Sequence, residues 1–385
     1  MPLKRWMLEA GAILVALLMI AFMLPHLAGA RNLTLPSGQP VFGDFIAFWS
    51  AGRATLDGQV AHIHERALLL QYQHAIAPDV RFYAPWNSPP PFLLIACVLA
   101  LMPYPLAAIA FLGATLALYL FAARRLLPDV RALIFPATAP AALYHLGTVQ
   151  AGLLISGVTG LALHWLDSRP RLAGALVGLL AIKPHLALLW PLFLALSNRW
   201  RAFKAAALAA MVLVAAAGLT FGFDAYARFL ASLSASARLI SDQQITTPAY
   251  ASLYANLLEL GAPQVIAAVL HALSALGALA VASALFRRSG RETAGAALCA
   301  ATLLISPYLF FYDFLILLMG AALLGPPRDR IELFALILAW GAGLSVAIGY
   351  VVALPLCPLA AWTVLFAALR RARSADVGSG PARRT

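Results

Sequence analysis

The stretch WMLEAGAILVALLMIAFMLP, residues 6–25, decides the fold class of this chain. It follows Lys4 and Arg5, and it is long enough to cross a bilayer, which takes about 20 predominantly apolar residues in a helix. Ala28-Gly29-Ala30 resembles a signal-peptidase site, so cleavage of this segment is an alternative to its retention as the first span. In both cases the residues that follow are placed outside the cytoplasm.

The composition extends this conclusion to the whole chain. Of the 385 residues, 63% are apolar and 11% are charged, whereas soluble domains have about 45–50% and about 25%. Such a chain cannot face water on all sides, which excludes a soluble enzyme, a disordered chain and a disulfide scaffold. Cys97, Cys299 and Cys357 are scattered without CxxC spacing, so we expect no disulfide and no metal site there.

The net charge of +12 lies in short clusters between apolar runs, as membrane topology requires. We therefore expect no nucleic-acid partner. The cytoplasmic loops predicted below are short and basic and contain no Walker motif, so an ATP-driven pump is not expected either.

Residues 89–127 allow two interpretations. They form either two spans broken at residues 102–105, or a short interfacial helix at 91–101 followed by one span. The second keeps Arg124 and Arg125 in the cytoplasm, and the positive-inside rule favours it. The predicted fold class is then an all-α polytopic membrane protein with twelve transmembrane helices, at residues 6–25, 106–123, 131–147, 149–166, 172–184, 185–199, 204–221, 264–286, 294–309, 311–325, 331–349 and 352–370.

This arrangement places 20 of the 27 Lys and Arg residues inside and the other seven outside. We predict a multi-pass protein of the inner (plasma) membrane with both termini cytoplasmic. Residues 1–370 form a single transmembrane domain, and residues 371–385 form a disordered cytoplasmic tail. Outer loop 1 (residues 26–104) and outer loop 2 (residues 221–263) are long enough to hold a site and to carry short juxtamembrane helices.

Asp44 is the first candidate for chemistry. The sequence around it, GDFIAFWSAG at residues 43–52, places a carboxylate among aromatic residues that include Trp49, just beyond the first span. Apolar surroundings would raise the pKa of this carboxylate and make it a competent proton acceptor. The alternative is that Asp44 caps a juxtamembrane helix.

Tyr83 and Trp86 precede a run of prolines at residues 89–91. Their flat faces suit a sugar ring, although interfacial aromatics before a helix start have the same pattern.

Lys183 lies in the sequence Lys183-Pro184-His185 between two apolar runs. A charged lysine inside the membrane costs free energy unless its side chain reaches the interface or pairs with an anion. A lipid phosphate is the natural anion, and snorkelling to headgroups is the alternative.

Asp313 ends an aromatic cluster that includes Tyr312. It could pair with Lys183 or Arg238, orient a sugar hydroxyl, or cap the next helix. His145 and Gln150 flank Gly147 near outer helix ends and could donate hydrogen bonds to a substrate, or bond a neighbouring helix.

The order of these motifs along the chain, and the side of the membrane predicted for them, resemble those of glycosyltransferase family 87. This family comprises the polyprenol-phosphate-mannose-dependent mannosyltransferase-like proteins among the GT-C integral-membrane glycosyltransferases. The resemblance spans roughly residues 5–370. The stretches that carry it are Gly43-Asp44-Phe45, Phe48–Gly52, Pro89–Phe92, Lys183-Pro184, Arg199-Trp200-Arg201 and Ser306-Pro307 through Asp313. Trp86-Asn87-Ser88-Pro89 and His185 depart from the family pattern, which leaves the sugar and the acceptor open.

The resemblance implies a GT-C-like arrangement and an inverting transfer of a sugar, mannose most of all, at the extracytoplasmic face. The donor would be a polyprenyl-phosphate sugar and the acceptor a glycolipid or glycan. Asp44 would be the catalytic base, and Lys183, with Arg238 or His145, would bind the donor phosphate. The other candidates for substrate contacts are Trp49, Tyr83, Trp86, His185, Tyr312 and Asp313. No cofactor is required, although some relatives use a divalent metal, and this sequence has no clear metal site.

Two alternatives stay open. An arabinofuranosyltransferase would use the same lipid-phosphate chemistry. A non-enzymatic flippase or transporter would place ionisable residues near the bilayer midplane, whereas here the acidic residues fall mostly in loops and at outer helix ends.

Overall fold

The structure is a computed structural model that describes residues 4–241, 249–346 and 355–378, with side chains outside the description at 235–241 and 375–378. Its described residues form a helical protein without named strands. The helices are α1 (Arg5–Ala28), α2 (Phe45–Leu56), α3 (Arg66–Ile76), α4 (Pro90–Leu99), α5 (Tyr104–Leu126), α6 (Ile134–Thr138), α7 (Pro140–Thr148), α8 (Gly152–Trp165), α9 (Pro170–Leu179), α10 (Leu189–Leu196), α11 (Trp200–Phe221), α12 (Asp224–Ser241), α13 (Leu253–Glu259), α14 (Gln264–Arg288), α15 (Arg291–Ile305), α16 (Leu315–Leu324), α17 (Arg330–Gly341) and α18 (Leu356–Gly378).

Within the residues that the structure describes, four helices are long and apolar enough to cross a membrane: α1, α5, α11 and α14. They coincide with predicted spans 6–25, 106–123, 204–221 and 264–286. Large apolar side chains cover their outer faces, such as Phe22 on α1 at 71% exposure and Leu219 on α11 at 79%. Surfaces of this kind suit lipid rather than water.

The helices α4 and α5 settle the two interpretations of residues 89–127. A short helix of 10 residues is followed by one of 23, with the chain broken between them. Pro103 directly precedes α5 and has an extended ψ of 140°. Proline has no backbone N–H for an intrahelical hydrogen bond, so it suits a position where a helix begins. The prediction of a short helix followed by one span is therefore confirmed for this region.

Other predicted spans are shorter or broken, so twelve transmembrane helices are not confirmed. Segment 131–147 divides into a 3₁₀ turn, α6 and α7, because Ala139 is extended (ψ 130°) before Pro140. A residue before proline disfavours the helical region, since the proline Cδ would clash with its backbone. Segments 172–184 and 185–199 are also reduced, to α9, two 3₁₀ turns and α10.

Small residues allow the helices to pack closely. Gly178 on α9 faces α11, where an added Cβ would lie 2.5 Å from the Cβ of Ala209. Gly157 on α8 faces α5, where a Cβ would lie 2.9 Å from Leu118 Cγ. Larger side chains at these glycines would push the helices apart, and close approach through small residues is the usual way in which membrane helices gain packing energy.

Ion pairs join the segments that the prediction places in the cytoplasm. Arg5 contacts Asp129 over 2.7 Å, Arg370 contacts Asp329 over 2.7 Å, and Arg199 pairs with Asp167. Each pair thus joins two residues that are predicted for the same side. The assignment of that side to the cytoplasm stays a prediction.

The prediction of a disordered tail from residue 371 is wrong for its first part. Helix α18 continues to Gly378, and Arg371 is buried. Its guanidinium group bonds Glu332 over 2.6 Å and also donates to the carbonyl of Leu324. Glu332, the partner of Arg371, lies on α17. The residues around position 371 give no indication of this contact. Residues 379–385 lie outside the described residues.

Candidate active site

Asp44 lies where a tight turn meets α2. Phe42 and Gly43 both have positive φ, 65° and 43°, and an added Cβ at Gly43 would lie 3.0 Å from the Gly147 carbonyl oxygen at the end of α7. The turn therefore presses against α7. Asp44 occupies the position before α2, but its side chain makes no capping hydrogen bond. The alternative role as a helix cap is thus wrong.

Gln150 holds the Asp44 carboxylate instead. Its Nε2 donates to Asp44 Oδ2 over 3.0 Å. The preceding residue, Val149, ends α7 in the left-handed region at φ 46°, which is unusual for a β-branched residue. This backbone turn separates α7 from α8 and brings Gln150 towards the start of α2.

Burial raises the pKa of Asp44 above the ordinary aspartate range, and this is the largest effect on it. The Gln150 hydrogen bond and the positive charge of Lys183 act in the opposite direction and lower the pKa. A carboxylate with a raised pKa is a better proton acceptor than an ordinary one. The positive charge of Lys183 thus acts on the Asp44 carboxylate.

Lys183 sits in the break between the short helical segments Pro170–Ile182 and Pro184–Leu196. Its side chain is 18% exposed, and its ammonium group pairs with the buried Asp313. The same nitrogen lies 4.9 Å from the centre of the Tyr312 ring. Lys183 is therefore held by an anion and an aromatic face, as a paired lysine rather than a snorkelling one.

Asp313 fulfils two of its predicted roles together. One carboxylate oxygen accepts from Lys183, and Oδ2 accepts from the Phe310 backbone N–H over 3.2 Å. The second bond closes the 3₁₀ turn Phe311–Phe314 before α16. Because Asp313 is 1% exposed, both contacts stabilise its charge.

His145 is buried on α7, and its hydrogen bonding fixes the tautomer. Nδ1 lies 2.8 Å from the Ala141 carbonyl oxygen, which can only accept, so Nδ1 carries the proton. In the neutral ring Nε2 is then an acceptor, and it has no hydrogen-bond partner in the described part of the chain. The role of His145 in binding the donor phosphate stays a prediction, and from this tautomer Nε2 would donate only in the protonated ring.

His145 nevertheless borders the Lys183 cluster. Its ring lies 5.8 Å from that of Tyr312. His185, two residues after Lys183, also has a buried Nε2 without a partner among the described residues. The structure thus places two imidazole rings beside the ion pair.

The predicted aromatic contacts are engaged in packing of outer loop 1. Trp49 Nε1 donates to the Met102 carbonyl over 2.8 Å, and Trp86 is 2% exposed, stacked 5.8 Å from Phe92. Tyr83 lies under the Arg66 guanidinium at 5.2 Å. These contacts hold the three aromatic rings within the loop and do not place them beside Asp44 or Lys183. The Arg238 side chain lies outside the described residues.

The sequence identifies Gln150 as a polar residue near an outer helix end, but it gives no indication of its contact with Asp44, because 106 residues separate the two. The signal for Gln150 in the sequence is its position, since it is a polar residue close to the predicted outer end of a helix.

In the residues that the structure describes, no group of three or more His, Cys, Asp or Glu side chains is arranged to hold a metal ion. The oxygen ligands closest to such a role, Asp44 and Asp313, are bonded to Gln150 and Lys183. A metal requirement stays untested.

The family comparison agrees with this architecture. The model for glycosyltransferase family 87 matches residues 86–307, more than half of the chain. The protein therefore belongs to glycosyltransferase family 87, one of the families of GT-C-like membrane glycosyltransferases. No curated protein and no solved structure matches the chain.

The matched range contains His145, Gln150, Lys183 and His185. Asp44 precedes it, and Tyr312 and Asp313 follow it. The role of Asp44 therefore depends on the site geometry and on its sequence surroundings rather than on the matched range.

Proposed function

We propose that this protein is an inverting glycosyltransferase that moves a sugar, with mannose expected, from a polyprenyl-phosphate donor to a glycolipid or glycan acceptor at the extracytoplasmic face of the plasma membrane. Family membership supports glycosyl transfer. The observation that carries the proposal is a non-capping carboxylate, Asp44, on which the positive charge of a paired ammonium group, Lys183, acts.

Asp44 is the general base of the proposed reaction. The acceptor hydroxyl attacks C1 of the sugar, its proton passes to the Asp44 carboxylate, and the bond between C1 and the phosphate oxygen breaks. One displacement inverts C1 and needs no covalent enzyme intermediate, as in inverting glycosidases that use a carboxylate base. The raised pKa of Asp44 supports this role, because a stronger base takes the proton more readily.

Lys183 stabilises the leaving group. The polyprenyl phosphate gains negative charge as the bond to C1 breaks, and a prepositioned ammonium group in a half-buried site interacts with that charge strongly. Asp313 and the Tyr312 ring hold the ammonium group in place. The donor phosphate would join or displace Asp313.

A transfer assay tests the proposal. Purified protein is given a radiolabelled polyprenyl-phosphate mannose and extracted envelope glycolipids, and the label in the acceptor fraction is measured. Asp44→Asn should reduce transfer by about 10²–10⁴-fold, whereas Asp57→Asn, an exposed aspartate paired with Arg53, should retain it. Normal turnover in Asp44→Asn would end the base assignment.

The same assay separates transfer from transport. If intact labelled donor crosses proteoliposome membranes and no label enters an acceptor, the protein is a flippase and the proposed reaction is wrong. If a labelled arabinofuranosyl donor is used and the mannosyl donor is not, the sugar assignment is wrong but the chemistry stands.

A further inference from the structure

The helices α9 and α11 run parallel and begin side by side. An added Cβ at Gly174 on α9 would lie 2.8 Å from the Cβ of Ala205 on α11, and one at Gly178 would lie 2.5 Å from that of Ala209. The two contacts advance by about one turn in the same direction along both helices. The first turns of α9 and α11 are therefore neighbours.

These first turns are rich in basic residues. Arg169 directly precedes α9 and Arg171 lies in its first turn, while Arg201 and Lys204 lie at the start of α11. All four residues, which we call the basic surface, are exposed. Neither first turn contains an acidic residue, although the helix dipole favours acidic side chains there and disfavours cations. An anion beside the basic surface would offset this unfavourable charge.

The surrounding sequence supplies little negative charge to the basic surface. No acidic residue occurs between Asp167 and Asp224 in the sequence. Asp167 itself pairs with Arg199 and lies 3.7 Å from Arg291, so two other arginines already share its carboxylate.

Other basic residues on the same predicted side differ from the basic surface in their partners. Arg5 pairs with Asp129, and Arg370 pairs with Asp329, each over 2.7 Å. In the part of the chain that the structure describes, no side chain of the basic surface forms an ion pair. The basic surface is therefore open to an anion from outside the chain.

An exposed apolar face continues from the basic surface along α11. Leu208 and Met211 follow Lys204 at helical spacing and are both exposed. Trp200, at the start of the helix, is also exposed, and tryptophan is enriched at the level of lipid headgroups. Since α11 is long and apolar enough to cross a membrane, this face suits acyl chains. A headgroup reaches such an open surface without any cavity.

We propose that the basic surface binds the phosphate headgroup of an anionic phospholipid, with the acyl chains of that lipid on the exposed face of α11. The leaflet is the one predicted to be cytoplasmic. Charge decides the class of lipid, because an anionic headgroup neutralises nearby cations and a zwitterionic headgroup has no net charge to do so. This contact is independent of the proposed transfer reaction and of Asp44.

Binding of defined lipids to the purified full-length protein tests this surface. The delipidated protein in maltoside detergent is titrated with phosphatidylglycerol, or with phosphatidylcholine of the same acyl chains, and bound lipid is measured by native mass spectrometry. We expect saturable binding of phosphatidylglycerol only. In the double variant Arg201→Gln with Lys204→Gln the affinity should fall about 30-fold, since each basic residue near an anionic lipid contributes about fivefold.

The double variant Arg5→Gln with Arg370→Gln is the matched control. It removes the same net charge from the same predicted side, but its two arginines belong to exposed ion pairs. Its affinity for phosphatidylglycerol should equal that of the wild type. Arg201→Lys should also keep the wild-type affinity, because it retains the charge. Unfolding temperatures of all variants in lipid-free detergent should match, so that a loss of affinity reports on the basic surface itself.

Three results would overturn the proposal. Equal affinities in the Arg201 and Lys204 double variant and the wild type would show that these cations do not bind the lipid. An equal loss in the two double variants would reduce the effect to net charge. Displacement of bound phosphatidylglycerol by inorganic phosphate would assign the basic surface to a soluble anion.

Discussion

Gln150 donates a hydrogen bond to Asp44 over 3.0 Å and joins the start of α2 to the turn between α7 and α8. This bond opposes the effect of burial on the Asp44 pKa. Gln150 is thus a positioning residue that sets both the orientation and the basicity of the proposed base.

Gln150→Leu should move the acid limb of the activity profile to higher pH. Burial raises the Asp44 pKa and the Gln150 bond lowers it, so loss of the bond lets the pKa rise further. At a fixed pH below the plateau, less Asp44 is then deprotonated and turnover falls. Transfer rates measured across pH should show this shift, whereas Gln71→Leu, an exposed glutamine on α3, should leave the limb unchanged. A uniform loss of rate at every pH would show that Gln150 acts on structure alone.

The wild-type acid limb itself should lie above about pH 3.9, the ordinary aspartate value, because the Asp44 pKa is raised. The same shift has a consequence for stability. A carboxyl group with a raised pKa in the folded state binds its proton more tightly there, so stability falls as the pH rises from the ordinary aspartate value through the raised pKa, and it stays at the lower level above it.

Asp44→Asn should therefore increase thermal stability at neutral pH while it reduces transfer by about 10²–10⁴-fold. Asparagine has a similar shape, carries no charge to desolvate, and can still accept from Gln150. Thermal unfolding and label transfer measured on one preparation check the two effects. A variant that is both less stable and inactive would indicate a structural role for Asp44.

Lys183→Ala should weaken donor binding about 10- to 100-fold, which corresponds to loss of a charged hydrogen bond of about 1.5–3 kcal/mol. It also leaves Asp313 buried without its cation, and an unpaired buried charge costs about 3–5 kcal/mol. The double variant Lys183→Met with Asp313→Asn removes both charges and should recover the stability but not the donor affinity. Donor affinity in the double variant equal to that of the wild type would exclude Lys183 from phosphate binding.

Arg371→Met should destabilise the protein by about 3–5 kcal/mol, because it leaves Glu332 buried and unpaired. Arg370→Met is the matched control. Its ion pair with Asp329 is 34% and 40% exposed, and exposed pairs contribute about 0–1 kcal/mol. Denaturation midpoints should separate the two neighbours clearly, while the specific activity of the folded fraction should be unchanged in both.

The membrane orientation predicts opposite labelling at two exposed positions. In a background without Cys97, Cys299 and Cys357, His74→Cys on α3 should react with an impermeant maleimide added to intact cells. Arg288→Cys at the end of α14 should react only after the membrane is opened. Labelling in the reverse order would invert the topology and place Asp44 on the cytoplasmic side.

Local sequence is sufficient to predict a membrane protein, the long helices α1, α5, α11 and α14, and the break before α5. These features depend on local composition and on the length of apolar runs, which a helix expresses wherever it lies in the fold. Asp44 and Lys183 were also identifiable from the sequence, because ionisable groups beside apolar runs are costly and therefore conspicuous.

The contacts among these residues depend on how distant helices pack together. Lys183 and Asp313 are 130 residues apart, and the bond between Gln150 and Asp44 replaced the local cap that Asp44 could have made. The burial of Arg371 depended on Glu332, 39 residues away, as well. The physical reason is that a polar side chain removed from water takes whichever partner packing brings within reach, and that partner is set by the arrangement of helices rather than by nearby sequence.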